Sequence, residues 1–346
     1  MTYKHLFFDD YSEGAHPRIL EALQRTNLQQ EPGYVMDSFA LEATRLIQER
    51  FGSAEADVHF VATGTQANLC VLSAILKPHE SVIAAESGHI NQHESGAIEA
   101  TGHKVNVVKG QDGKVQPDEI QEMVEMHNFD QMVLPRAVYV SQSTELGTVY
   151  TTAELTALSE KCKEHGLYLY VDGARLGAAL TAQGGDLGPE RLAELVDIFY
   201  IGGTKNGALI GEAIVIVNPV LKDHFRYNLR QRGALLAKGR AVSLQFQELF
   251  RDNLYFEIAQ HANTLAQHLA AGIKKCGYQL LVEASTNQVF PILPNTIIER
   301  LQQDYGFHFW EKFDERRSVV RLVTSWATEE TDVSEFLIAL QACKSQ

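Results

Sequence analysis

The chain has 346 residues, 45% hydrophobic and 21% charged, enough apolar material for one large α/β domain or two smaller ones. Its 44 acidic residues against 30 basic ones give a formal net charge of −14, which disfavours nonspecific binding to nucleic acid or anionic lipid. Cys70, Cys162, Cys276 and Cys343 are widely spaced with no C-x-x-C pair, which fits neither a disulfide framework nor a structural zinc site. They read as small apolar residues in a reducing compartment. The first residues turn acidic at Asp9-Asp10, unlike a secretory signal, and no apolar stretch approaches the roughly 18 residues a membrane span needs. A cytoplasmic soluble protein is expected.

Short apolar runs alternate with helical patterns, which predicts parallel strands joined by helices. Residues 58–62 read as a strand, followed by Thr63-Gly64-Thr65 and a helix to about Leu76. A strand at 81–85 precedes a helical pattern at 89–101, and 105–108 is the next strand. Pro117 opens a helix with acidic residues at its positive end. After a strand at 133–140, Thr151 and Glu154 match a capping box. Residues 167–171, 198–201 and 213–217 complete the strand series. From about Pro219 long helical patterns run to 275, interrupted by Gly233 and Gly239. A last segment holds strands at 289–293 and 319–323 and helices at 296–305 and 331–343. The expected organisation is a large α/β domain over 1–250 and a smaller C-terminal α+β domain over 251–346.

Three constellations carry chemistry. Ala62-Thr-Gly-Thr-Gln-Ala-Asn68 lies at a strand-to-helix junction, where Gly64 permits close approach and the following amides, with the Thr65 hydroxyl, suit a phosphate. A plain βα turn fits the same residues. Asp172 ends a buried run in Val171-Asp-Gly-Ala-Arg175, where a carboxylate can hold a heterocyclic nitrogen protonated and Arg175 can donate to a phenolate or carboxylate. Capping of the next turn is the plainer use. Lys205, in Tyr200-Ile-Gly-Gly-Thr-Lys205, follows an apolar strand beside glycines and Thr204, where partial burial would lower its pKa and make it a Schiff-base nucleophile; taken alone, a structural or surface lysine is the plainer use. In combination the three suit a phosphorylated pyridine aldehyde held by phosphate, ring nitrogen and carbonyl, which is pyridoxal 5′-phosphate.

The chain resembles the threonine aldolase group of the fold-type I pyridoxal-phosphate enzymes, within the β-eliminating lyases. The likeness is densest at Gly64-Thr65-Gln66, Gly88-His89-Ile90, Asp172-Gly-Ala-Arg175, Gly202-Gly-Thr-Lys-Asn206 and Arg321. It implies a mostly parallel sheet sandwiched by helices, a smaller C-terminal domain, and cleavage of a β-hydroxy-α-amino acid such as threonine, allo-threonine or phenylserine to glycine and an aldehyde. It implies further that Gly64, Thr65, Gln66, His89, Asp172, Arg175, Thr204 and Lys205 bind the cofactor, His89 stacking on its ring, and that Arg321 pairs with the substrate carboxylate. Tyr34 and Thr144 join Arg321 as substrate contacts, and Lys238, from the basic cluster of Arg230, Arg232, Lys238 and Arg240, reaches a neighbouring subunit's phosphate. A homodimer or homotetramer with sites at the subunit interface follows. Thr144 stands where family members carry a His that contacts the β-hydroxyl, which leaves His89, His93 or a water as base.

Other classes are weaker. The same fold supports β-elimination and transamination of small amino acids. His89-x-x-x-His93-Glu94 offers two metal ligands on one helix face for a hydrolase, but no third ligand is evident. A pseudoenzyme or binding protein on this fold is a third class, which the intact Lys205, Asp172 and Arg321 speak against.

Overall fold

In the computed structural model, which describes residues 3–344, β1 is a short strand, His5–Leu6. Seven strands then form the central sheet: β2 (Asp57–Val61), β3 (Glu80–Ala85), β4 (Lys104–Val108), β5 (Leu134–Ser141), β6 (Tyr168–Asp172), β7 (Ile198–Gly202) and β8 (Glu212–Ile216). Their order is β2-β8-β7-β6-β5-β3-β4. Strands β3, β7 and β8 are buried along their whole length, as strands covered on both faces must be. Alternate residues serve different cores: Val138 and Val140 pack in one cluster, Ala137 and Tyr139 in another with Ala67, Val71 and Leu72 of helix Gly64–Ile75.

The expected parallel pattern holds for every central pair but those of β8, which runs antiparallel to both β2 and β7. The reason is the 203–211 connection, too short for a crossover helix. The 89–101 pattern also differs. Its helix stops at Gln92, Ser95 and Gly96 take φ of 53° and 72°, and only a 3₁₀ turn, Glu99–Thr101, follows. The left-handed pair breaks the helix that the apolar spacing suggests.

Beyond β8 the helical region divides into Phe225–Gln231, Arg240–Phe250 and Leu254–Lys275. The first break contains Gly233 and Gly239, and the second the left-handed Asp252 and Asn253. Strand Arg317–Val323 organises a second sheet, pairing antiparallel with Gln288–Val289, Pro291–Pro294 and His308–Lys312. Strand β1 pairs with Tyr305–Gly306, and Phe7 is buried with Leu269, Val320 and Phe336, so the segment around His5–Phe7 packs with the C-terminal part of the fold. That arrangement brings Asp9, Asp10 and Tyr11 to the site described next. Among the described residues no helix is long and apolar enough to cross a membrane.

Candidate active site

The carboxyl ends of β2, β3, β5, β6 and β7 and the start of antiparallel β8 lie at one edge of the sheet. Ligands of open α/β sheets bind at such an edge. A cavity of about 390 Å³ opens there, with Lys205, Asp172, Arg175, Thr204, Gly64, Thr65, His89 and Thr144 on its walls. Eight of the residues singled out from sequence are thus brought together.

At the floor, Asp172 accepts four hydrogen bonds. Tyr200 Oη and the Ala174 amide reach Oδ1 at 2.5 and 3.0 Å; Tyr139 Oη and Asn68 Nδ2 reach Oδ2 at 2.6 and 3.2 Å. Burial, reinforced by the charge of Asp172, pushes the Tyr139 and Tyr200 phenols well above their usual range, so both remain donors. Gly64 lies against the same group: a Cβ there would stand 2.9 Å from Tyr200 Oη. Helix Gly64–Ile75 is capped by Thr63, whose Oγ accepts from the Gln66 amide at 3.1 Å. Gln66 turns its own side chain back to accept from the Ala62 amide at 3.1 Å and does not line the cavity. The helix N-terminus therefore offers the cavity Gly64 and Thr65 rather than Gln66.

Lys205 is reached through the Gly202-Gly203 approach of β7 to its neighbours; a Cβ on Gly202 would stand 2.2 Å from the Ala174 carbonyl oxygen. Burial, then the nearby Arg175 charge, lowers the Lys205 pKa, against the opposing pull of Asp10, Asp172 and Glu212. Glu212, at the start of β8, accepts from the Gly203 amide at 2.9 Å, and burial pushes its carboxyl up to about 8. Arg175 is tied bidentately to Asp10, Nε to Oδ2 at 2.7 Å and Nη2 to Oδ1 at 3.1 Å, and Asn287 donates to Asp10 at 2.9 Å. Burial alone would raise the Asp10 carboxyl. The Arg175 and Lys205 charges and the two hydrogen-bonding partners outweigh it and hold it low.

On the opposite wall His89 Nδ1 lies 2.8 Å from Glu94 Oε1, and its amide donates to Glu145 Oε1 at 3.0 Å. Ser141 Oγ donates to the same Glu145 oxygen at 2.7 Å, and burial raises that carboxyl above its ordinary range. Thr144 is buried, its hydroxyl 2.7 Å from Thr148 Oγ1.

The remaining candidates lie elsewhere. His93 is exposed, its ring centroid 5.6 Å from that of His89, and burial of its ring, then the charges of His89, Arg321 and Lys205, depress its pKa. Arg321, expected to need an anion, has one within the chain: Nη2 donates to Asp9 Oδ1 at 3.1 Å and to the Phe8 carbonyl at 3.3 Å. Tyr34 lies in a separate hollow with Met36, Arg226, Tyr227 and Arg230, the Arg230 guanidinium 4.9 Å from its ring centroid. Lys238 is exposed in the turn before helix Arg240–Phe250. Thr63, Asn68 and Tyr200 lie within the quoted motifs without a role assigned there, and Tyr139, Glu145 and Glu212 lie outside them; their positions beside Asp172, His89 and Lys205 mark all six.

Residues 10–295 match the β-eliminating lyase family. The chain belongs to this family. Within it, the chain is 32% identical to a low-specificity L-threonine aldolase of Pseudomonas sp. (strain NCIMB 10558), over 97% of both chains. It is 33% identical to that of Pseudomonas aeruginosa, over 94% of both. The structure of Leishmania major threonine aldolase superposes with a TM-score of 0.96 at 46% identity, covering 98% of this chain and 99% of that one. An aspartate aminotransferase of Thermus thermophilus, at 18% identity, 99% and 91% coverage and a TM-score of 0.73, shares the fold. The fold is that of the fold-type I enzymes, and the cofactor of this β-eliminating lyase is pyridoxal 5′-phosphate.

The cavity fits that group. It combines an amine of lowered pKa, a carboxylate floor and a helix N-terminus. The Ser143 hydroxyl, buried on its wall, has no hydrogen-bond partner among the described residues. Among the described residues no group of three or more His, Cys, Asp or Glu is placed to hold a metal ion.

Proposed function

We propose that this chain is a pyridoxal-phosphate-dependent carbon–carbon lyase that cleaves a β-hydroxy-α-amino acid, threonine, allo-threonine or phenylserine in type, to glycine and an aldehyde. The observation that carries the reading is the convergence of Lys205, Asp172, His89 and the Gly64–Thr65 helix start on one cavity, in a chain 46% identical to a threonine aldolase over nearly its whole length.

When bound, the cofactor supplies an electron sink for the pair released as Cα–Cβ breaks. Lys205, kept toward the neutral amine by burial and Arg175, is the covalent anchor. Asp172 would hold the ring nitrogen protonated, Gly64, Thr65 and Thr204 would bind the phosphate, and Arg175, fixed by Asp10, would donate to the ring oxygen. Gln66 acts indirectly, through the helix start it braces. His89 would cover the ring and, with His93, is the candidate to take the β-hydroxyl proton; Thr144 would contact the hydroxyl. Arg321 takes the substrate carboxylate. Its Nε is buried with no partner among the described residues, which supports that use.

Tyr34 and Lys238 serve the site of a second copy in a homodimer or homotetramer. That placement is supported by their distance from this chain's own cavity and by the exposed Met36 and Tyr227 beside Tyr34. The large unit is taken as 1–250 and the small one, carrying Arg321, as 251–346. A small amino acid is the partner, and the cytoplasm the compartment.

A product assay decides the reaction. Glycine with acetaldehyde or benzaldehyde is expected from threonine or phenylserine; ammonia with a keto acid would point to elimination or transamination instead.

A further inference from the structure

Five residues beyond His89, the chain returns a carboxylate to that histidine. Because the helix ends at Gln92 and Ser95-Gly96 turn left-handed, Glu94 points inward, and its side chain is fully buried. Glu94 Oε1 lies 2.8 Å from His89 Nδ1 and accepts from Asn68 Nδ2 at 2.6 Å. Asn68 Nδ2 also donates to Asp172 Oδ2 at 3.2 Å, while Asn68 Oδ1 accepts from Tyr170 Oη at 2.7 Å. One buried chain of hydrogen bonds thus runs His89–Glu94–Asn68–Asp172.

The chemistry of that chain has a direction. A carboxylate offers only acceptors, so the contact places a proton on Nδ1, and in the neutral ring Nε2 is then the accepting nitrogen. The second Glu94 oxygen, Oε2, is buried with no partner among the described residues, so His89 and Asn68 are the groups that answer its charge.

We propose that Glu94 is a positioning residue that fixes the ring plane and tautomer of His89, so that Nε2 is presented to the cavity as a proton acceptor, and that Asn68 ties this pair to Asp172. Its effect on turnover rests on the aldolase reading above; the tautomer does not. Asn68 couples the two ends of the chain: its one amide nitrogen donates both to Asp172 and to Glu94, the carboxylate that holds His89.

The test uses the cofactor-loaded enzyme with ¹⁵N-labelled histidine, the His89 signals among the 13 histidines identified by their loss in His89→Gln. Wild-type His89 is expected to show a protonated Nδ1 and an unprotonated Nε2. Glu94→Gln keeps the acceptor but removes the charge. It is expected to retain the cofactor's absorbance while kcat for aldehyde release falls roughly 100-fold with KM within about threefold. A protonated Nε2 in wild-type His89, or an unchanged kcat in cofactor-loaded Glu94→Gln, would overturn the proposal. Should Glu94→Gln fail to fold, the wild-type spectrum still decides. If the parent enzyme releases no glycine or aldehyde, the aldolase reading is what fails, and the tautomer remains measurable.

Discussion

The cavity at the sheet edge gathers eight of the residues singled out from the sequence, whereas the hollow around Tyr34 holds only Tyr34 and Arg230 of them. Lys205, Asp172 and His89 follow the ends of buried strands, where register and packing fix each residue to its neighbour. Tyr34 and Lys238 sit on loops beyond the sheet, the Tyr34 ring exposed beneath the Arg230 guanidinium and Lys238 exposed to solvent. Arg321 is intermediate: it leaves a buried strand of the second sheet but meets Asp9 of the N-terminal segment. A strand end places a side chain within one fold unit, whereas a loop residue depends on whatever packs against it.

The comparison can be broken most sharply at Lys205. Lys205→Ala should reduce aldehyde release to background without added amine; turnover near the parental rate would remove the anchor from the account. Asp172→Asn leaves the shape of the floor but removes its charge, and kcat should fall by roughly 100-fold or more, as expected when a preorganised charge is lost. Arg321→Ala should mainly raise KM, by roughly 10- to 100-fold, if it binds the substrate carboxylate. If Arg321 serves only to hold Asp9, stability changes instead and KM does not, which thermal unfolding beside steady-state kinetics separates.

Smaller effects sharpen the picture of the frame. Asp10 has a folded pKa below its unfolded value, so its contribution to stability is complete above the ordinary Asp pKa and is lost as pH falls through the depressed one. Urea unfolding of the parent should therefore lose stability below about pH 4, and Asp10→Asn should flatten that acid limb while lowering stability near neutral pH. Thr63→Ala removes the cap of helix Gly64–Ile75 and should cost about 1 kcal/mol in the same measurement.

Much of this architecture is legible in the residues themselves. The strand runs, the Thr151–Glu154 capping box and the residues at the ends of β6 and β7 follow from local pattern. The antiparallel sense of β8 was hidden because its buried run reads alike in either direction. The stop at Gln92 was hidden because apolar spacing continues past it while Ser95 adopts a backbone conformation its residue type rarely takes. No motif marks the tyrosines around Asp172 as its partners. They are inward residues of β5 and β7, and only the sheet order aims them at one carboxylate. Asp10 is the most distant case, brought to Arg175 by the pairing of β1 with Tyr305–Gly306.

Covalent trapping tests the central claim most directly. The protein is incubated with pyridoxal phosphate, reduced with borohydride, digested and mapped by mass spectrometry. The account predicts a phosphopyridoxyl group on Lys205 and on no other lysine, in near-stoichiometric yield. A label spread over exposed lysines, or a Lys205 peptide recovered unmodified, would contradict it.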